Sequence, residues 1–168
     1  FIPSEGNVLV GVDASGLELR CLAHYMGDDE YVRQILEGDI HSHNQHMAGL
    51  ETRDQAKTFI YGLIYGAGPT KIGEIIGGSA KAGAKLKAKF FRELPALKVL
   101  IDRVQFTAKD RGYLKGLDGR QLPVRSEHSA LNLLLQSAGA VIMKQATVFA
   151  DTMLPDAVKP VAHIHDEI

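Results

Sequence analysis

The 168-residue sequence is 45% hydrophobic and 23% charged, with a formal net charge of −1 and no tryptophan, which suits one packed domain, or two lobes sharing a core. A single cysteine, Cys21, excludes a disulfide framework and a cysteine-built zinc site within the chain. No secretory pattern and no apolar run of about eighteen residues is seen, so a reducing cytoplasm is expected and a membrane is not.

The chain starts at Phe1 without methionine and stops at Ile168, directly after His165-Asp166-Glu167. That reads as a sequence cut from a longer protein at both ends. Asn7 to Asp13 is a short apolar run ending in a carboxylate, expected as a buried strand. Leu17, Leu19, Cys21, Leu22 and Tyr25 then give a helix an apolar face until Gly27. Asp28 caps a helix over Glu30 to Glu37 that Gly38 closes. Further helices are expected from His41 to Met47 and, capped by Thr52, up to Gly66. After the Gly66-Ala67-Gly68-Pro69 break a short helix runs to Gly77-Gly78. Ser79 caps a basic helix through Glu93, and Pro95 opens another to Asp110. Tyr113 to Val124 alternates around Leu117-Asp118-Gly119-Arg120, a strong hairpin signal. Ser129 to Met153 reads as one long buried helix, and Val158 to Ile168 as a final strand. The expected fold is therefore α/β in the mixed α+β sense: an antiparallel sheet with a helical block inserted between its strands.

Charge is unevenly spread. Residues 1–40 are net −6, residues 41–125 hold fifteen basic and seven acidic residues for net +8, and residues 126–168 are net −3. A basic middle between acidic flanks suits a protein that meets polyanions in one part and cations in the others. A lysine-rich helix surface facing solvent would give the same numbers.

Three groups of residues carry candidate chemistry. Arg53, Lys57, Tyr61 and Tyr65 are spaced by four, so they share one helix face. Two cations and two aromatics make a poor core face but a good surface for a nucleoside triphosphate. Asp13 and Asp166, with Glu167 adjacent, offer the hard oxygen donors that magnesium needs in two-metal phosphoryl transfer. His128, Asn132 and Gln136, again spaced by four, can read the acceptors of a duplex minor groove without regard to sequence. His41, His43 and His46 invite a zinc reading that nothing else in the chain supports, and Cys21 lies on an apolar helix face as a core residue.

These residues resemble the motifs of family A DNA polymerases. Val12 to Arg20 resembles motif A. Arg53-x3-Lys57-x3-Tyr61-x3-Tyr65-Gly66 is similar to motif B on the family's O helix, and His165-Asp166-Glu167 resembles motif C. The resemblance spans essentially the whole chain, with the motifs in family order. It implies a palm over residues 1–26 and 113–168 and fingers over 27–112. Asp13, Asp166 and the Ala14 carbonyl would hold two magnesium ions. Arg53, Lys57 and His41 would hold the triphosphate, with Lys57 counted among the catalytic residues, and Tyr61 would pack on the incoming nucleotide. Glu18 and Tyr65 would close the space of a ribose 2′-hydroxyl. Arg120, His128, Asn132 and Gln136 would touch primer–template DNA. Tyr61 and His128, where bacterial members usually carry phenylalanine and arginine, point to the replicative enzymes of short-tailed phages, although the stretch after Arg103 is shorter than theirs. The implied reaction is transfer of dNMP from a dNTP to a primer 3′-hydroxyl. A thumb and any processivity partner would lie outside these residues, and this stretch alone is expected to be inactive. The rival readings are a single-subunit RNA polymerase, which Glu18 with Tyr65 argues against, and a nucleic-acid-binding module without catalysis.

Overall fold

The structure, a computed structural model, describes residues 2–155 and 157–168. It is mostly helical. α1 (Leu17–Met26), α2 (Asp29–Glu37), α3 (Ile40–Ala48), α4 (Arg53–Ile64), α5 (Pro69–Ile75), α6 (Ala80–Glu93) and α7 (Pro95–Arg111) lead into the hairpin β1 (Tyr113–Lys115) and β2 (Gln121–Pro123). A 3-10 turn, η1 (Glu127–Ser129), then opens α8 (Ala130–Met153).

Local chemistry sets most of these boundaries. Asp28 accepts from the Tyr31 amide and Ser79 from that of Ala82, each satisfying a helix-start N–H that has no partner within the helix. Thr52 and Gln55 form a reciprocal capping box at the start of α4. Pro95 stands at the start of α7, where its missing N–H costs nothing. In the hairpin Leu114 pairs with Leu122, both buried, while Gly119 takes the left-handed conformation at the turn.

One continuous core joins the helices. α8 packs against α1 and α7, and Gly139 brings it so close to α1 that an added Cβ would lie 3.2 Å from Leu17. In the inserted block, Phe59 of α4 meets Phe90 of α6 edge-on at 5.1 Å. α5 and α6 approach backbone to backbone: a Cβ on Gly83 would lie 2.1 Å from the Pro69 carbonyl oxygen.

Four expectations are corrected. The segment 7–13 is neither a regular strand nor buried: Val8, Val10 and Val12 are 81%, 75% and 64% exposed. Instead of running through as a strand, the final segment reverses between Ile164 and Glu167, which exchange both backbone hydrogen bonds. Both differences have one cause. An extended segment needs neighbours for its backbone and cover for its faces, and among the described residues these two pair with each other around the bridge Asp13–Glu167, while the last also pairs with itself at Ile164–Glu167. Third, α8 is buried only as far as Met143; Val148 and Phe149 are each 63% exposed. Lastly, the helical run Glu127–Met153 does reach membrane-spanning length and apolarity, with mean hydropathy 1.3, because its N-terminal half carries the core leucines. The expected antiparallel sheet is reduced, among the described residues, to β1–β2 and isolated bridges.

Candidate active site

The four-residue spacing on α4 does what the sequence implies. Ala56, Phe59, Ile60, Leu63 and Ile64 turn into the core, which leaves Arg53, Lys57 and Tyr65 exposed and Tyr61 half-buried on the other side. Arg53 is not free. Its Nε and Nη2 donate to the two oxygens of Asp39 at 2.7 and 3.1 Å, a two-pronged pair. Asp39 is the N-cap of α3, accepting from the His41 amide at 3.1 Å and the Ser42 hydroxyl at 2.8 Å. The Arg53 and Ser42 bonds hold its carboxyl far below the usual carboxylate range. The same cap sets His41 with its ring 6.3 Å from that of Tyr61, and leaves its Nδ1 buried without a partner. Burial, then the neighbouring Arg53 and Lys57, push the imidazole below its ordinary value, against a weaker upward pull from Asp39.

Motifs from opposite ends of the sequence meet. The Ala14 amide donates to the Asp166 carbonyl at 2.8 Å, and Val12 and Ile168 exchange two backbone bonds at 2.9 and 3.0 Å. Asp166 is therefore the second residue of a tight turn whose first, His165, has φ 60°, a conformation uncommon outside glycine. His163 steadies that turn: its Nδ1 lies 3.0 Å from the Thr147 hydroxyl on α8 and its Nε2 3.2 Å from the His165 carbonyl. Glu167 folds back over Gly11, where a Cβ would meet its carboxylate. The Tyr61 phenol is raised by burial and by the charges of Glu18 and Asp166, so that carboxylate lies within electrostatic reach of α4.

Asp13, Asp166 and the Ala14 carbonyl are hard oxygen donors, and the carbonyl accepts only a long 3.2 Å bond from Leu17. Among the described residues no three His, Cys, Asp or Glu side chains gather as a metal cluster. Oxygen donors of this kind suit magnesium, which keeps waters and takes substrate oxygens, better than zinc, which favours a closed nitrogen and sulfur set.

A third grouping ties α1, α4 and α8 together. The Tyr65 hydroxyl donates to Glu18 Oε1 at 2.9 Å, and the Gln136 amide donates both to that carboxylate and, at 3.3 Å, to the Tyr65 oxygen. Gln136, read from the sequence as a groove contact, is here part of the Glu18–Tyr65 pair. Gly66, directly after Tyr65, has φ 81° and abuts His128: a Cβ would lie 2.4 Å from the His128 carbonyl oxygen, so only glycine fits on both counts. His128 is exposed, while Asn132 keeps a buried Oδ1 without a partner. Arg120 is set apart in the hairpin turn, its Nε 2.6 Å from Asp118.

Two groups escaped sequence reasoning. Asp39 stands directly after Gly38, which closes α2, and only the fold pairs it with Arg53. His163 had no signal beyond its proximity to Asp166. Cys21 is buried as expected, its thiol raised by burial and by Glu18.

Comparison with known proteins identifies the family. A match to DNA polymerase family A covers residues 1–168. The DNA-directed DNA polymerase of Enterobacteria phage T3 is 47% identical over 96% of the chain, and that of Escherichia phage T7 is 46% identical over 96%. The chain spans 27% of the length of each. The solved polymerase domain of Pol1 from M. smegmatis, in complex with DNA primer-template and dNTP, superposes with TM-score 0.81 over 94% of this chain and 32% of that one. At 23% identity that likeness speaks for the fold alone. With its whole length matched and the phage enzymes this similar, the chain belongs to DNA polymerase family A.

Proposed function

We propose that this chain supplies part of the palm and most of the fingers of a DNA-directed DNA polymerase acting in replication, with residues 1–26 and 113–168 in the palm and 27–112 in the fingers. The observation that carries the reading is the backbone pairing of Ala14 with Asp166, which joins the first and last motifs beside the helix bearing Arg53, Lys57, Tyr61 and Tyr65. The reaction is transfer of dNMP from dNTP to a primer 3′-hydroxyl, in the cytoplasm.

Asp13, Asp166 and the Ala14 carbonyl would hold two magnesium ions, which supply charge neutralisation at the attacking and leaving oxygens when bound. Lys57 and Arg53 bind the triphosphate, and Arg53 must share or exchange Asp39 to do so. A neutral His41 adds a hydrogen bond there without further crowding the two cations. Tyr61, half-buried beside His41, packs on the nucleotide. Glu18 and Tyr65, held by Gln136, fill the space where a ribose 2′-hydroxyl would sit. Arg120, His128, Asn132 and Gln136 line the path of primer–template DNA. Catalysis by such a site rests on positioning and charge compensation.

In the intact enzyme, Asp13→Asn or Asp166→Asn should abolish primer extension while DNA binding persists. Near-normal extension by either variant would refute the assignment of the metal carboxylates.

A further inference from the structure

Two lysines of α6 are held differently from the others. Lys71 and Lys98 each reach a carboxylate on their own helix, at Glu74 and Asp102. Lys89 instead donates to the Ala48 carbonyl at the end of α3, at 3.0 Å, and Lys87 to the Ala67 carbonyl in the turn after α4, at 3.4 Å. Among the described residues no other lysine bonds to a backbone carbonyl. Both are half-buried, although a lysine ordinarily keeps its ammonium in water. Gly49, left-handed at φ 70°, leaves the space that the Lys89 ammonium occupies, since a Cβ there would collide with it. At Lys87, burial and then Lys98 push the ammonium below its ordinary value. The Ala67 oxygen and the Phe91 ring, whose centroid is 5.8 Å from Nζ, offset that loss of water.

Lys87 holds a short link to Tyr65. The Ala67 amide donates back to the Gly62 carbonyl at 2.8 Å across the left-handed Gly66, a common way to end a helix. Gly66 abuts the His128 carbonyl, and the next residue, Ala67, gives its own carbonyl to Lys87. The base of Lys87 is firm, because α6 packs backbone to backbone on α5 at Gly83 and edge-on against Phe59 through Phe90. Tyr65 precedes this turn and is 49% exposed, so packing fixes its ring poorly and the backbone behind it must do so. Its hydroxyl donates to Glu18. At a site of this kind a misplacement of about 1 Å can cost on the order of a hundredfold. In the polymerase reading, on which this inference rests, Glu18 and Tyr65 fill the space of a ribose 2′-hydroxyl. We infer that Lys87 is a positioning residue: by anchoring the turn after α4 it sets where Tyr65 stands against Glu18, and so how strongly a ribonucleotide is refused.

The test measures kcat/KM of the intact polymerase for a dNTP and for the matching NTP. Lys87→Met keeps an unbranched apolar stem and removes the ammonium. It should lower the dNTP-to-NTP ratio by about two- to tenfold, the span of one net hydrogen bond. Lys89→Met loses the same kind of bond from the same helix, but one that ends on α3. It should lower the melting temperature to a similar extent and leave the ratio unchanged. In a Glu18→Ala background the carboxylate that Tyr65 meets is gone, so adding Lys87→Met should not move the ratio further. The inference is overturned if Lys87→Met keeps the wild-type ratio, if Lys89→Met shifts it as far, or if the Lys87→Met effect persists in full beside Glu18→Ala. Failure of wild type to extend primers would sink the polymerase reading instead. Hydrogen exchange of the intact protein would still report on the anchor: Lys87→Met should speed exchange at residues 65–67 and Lys89→Met should not, and equal exchange in the two variants would overturn it.

Discussion

The helical block of residues 29–111 and the two extended segments, 2–16 and 157–168, are built from the same apolar residue types with opposite outcomes. In the block, Tyr31, Phe59, Phe90, Ile72 and Leu97 are at most 1% exposed. In the extended segments, Val8, Val10, Val12, Val161 and Ile164 are between 61% and 81% exposed. A helix satisfies its backbone within its own segment and needs cover on one stripe only. An extended segment needs partners on both edges and cover on its faces. The candidate metal carboxylates sit in the region that depends most on distant parts of the chain, while the candidate triphosphate side chains sit in the region that depends least.

The sharpest way to break that comparison is to truncate one side chain of similar size in each region. Leu97→Ala, at a position with no exposure, should cost about 2–5 kcal/mol of stability, because transfer and cavity terms both apply. Val10→Ala, at 75% exposure, should stay within about 0.5 kcal/mol. Chemical denaturation of the chain followed by circular dichroism measures both, and equal losses would show that the extended segments are packed after all. A smaller effect separates two glycines within the block. Gly83→Ala places a methyl 2.1 Å from the Pro69 carbonyl oxygen and 2.5 Å from the Gly73 nitrogen, so overpacking should cost about 1–3 kcal/mol. Gly68→Ala meets nothing within 4 Å and should be neutral or stabilising by up to about 1 kcal/mol. A melting temperature for Gly83→Ala equal to that of Gly68→Ala would remove the backbone contact between α5 and α6 from the account.

The comparison also explains what could be read from the sequence. Helices α1 to α8 follow from caps, glycine stops and apolar spacing, all signals contained within a few residues. Arg53, Lys57, Tyr61 and Tyr65 were legible as a surface because one spacing rule fixes their common face. The extended ends were misjudged, since an apolar run such as Val8-Leu9-Val10 states what it could bury and not whether anything covers it. Residue pairs far apart in sequence were equally hidden. Nothing local ties Asp39 to Arg53, or Gln136 to Glu18 across 118 residues.

That last contact yields a prediction of intermediate size. Tyr65→Phe removes one bond to Glu18 and one from Gln136 in a network about half open to solvent, Tyr65 being 49% exposed. The expected loss of stability is about 0.5–1.5 kcal/mol. A double-mutant cycle with Gln136→Leu should show coupling near the low end of about 0.5–3 kcal/mol. Additive losses would mean that the two side chains act independently, and the restraint on Glu18 would need another source. In the intact enzyme the same variants should also narrow any preference for dNTP over NTP.

The smallest effect tests the helical region at its most electrostatic point. His41 is depressed by burial first and then by Arg53 and Lys57, while Asp39 opposes them. Folding therefore favours the neutral ring. Its contribution to stability is complete above the ordinary imidazole value of about 6.5 and is lost as pH falls through the lower folded value, where the unfolded chain binds more protons. NMR titration of the ring should give a midpoint below the ordinary value. Lys57→Gln removes a like charge and should move that midpoint up. Asp39→Asn removes the attracting carboxylate and leaves the Arg53 cation unpaired nearby, so it should move the midpoint further down. An upward shift in Asp39→Asn would reverse the assigned sign of the cluster. A polyphosphate added to the wild-type chain brings negative charge to the same three groups, and if it binds Arg53 and Lys57 the midpoint must rise. That measurement reads occupancy of the α4 face without relying on the carboxylates at the chain ends, so the two halves of the candidate site can be tested apart.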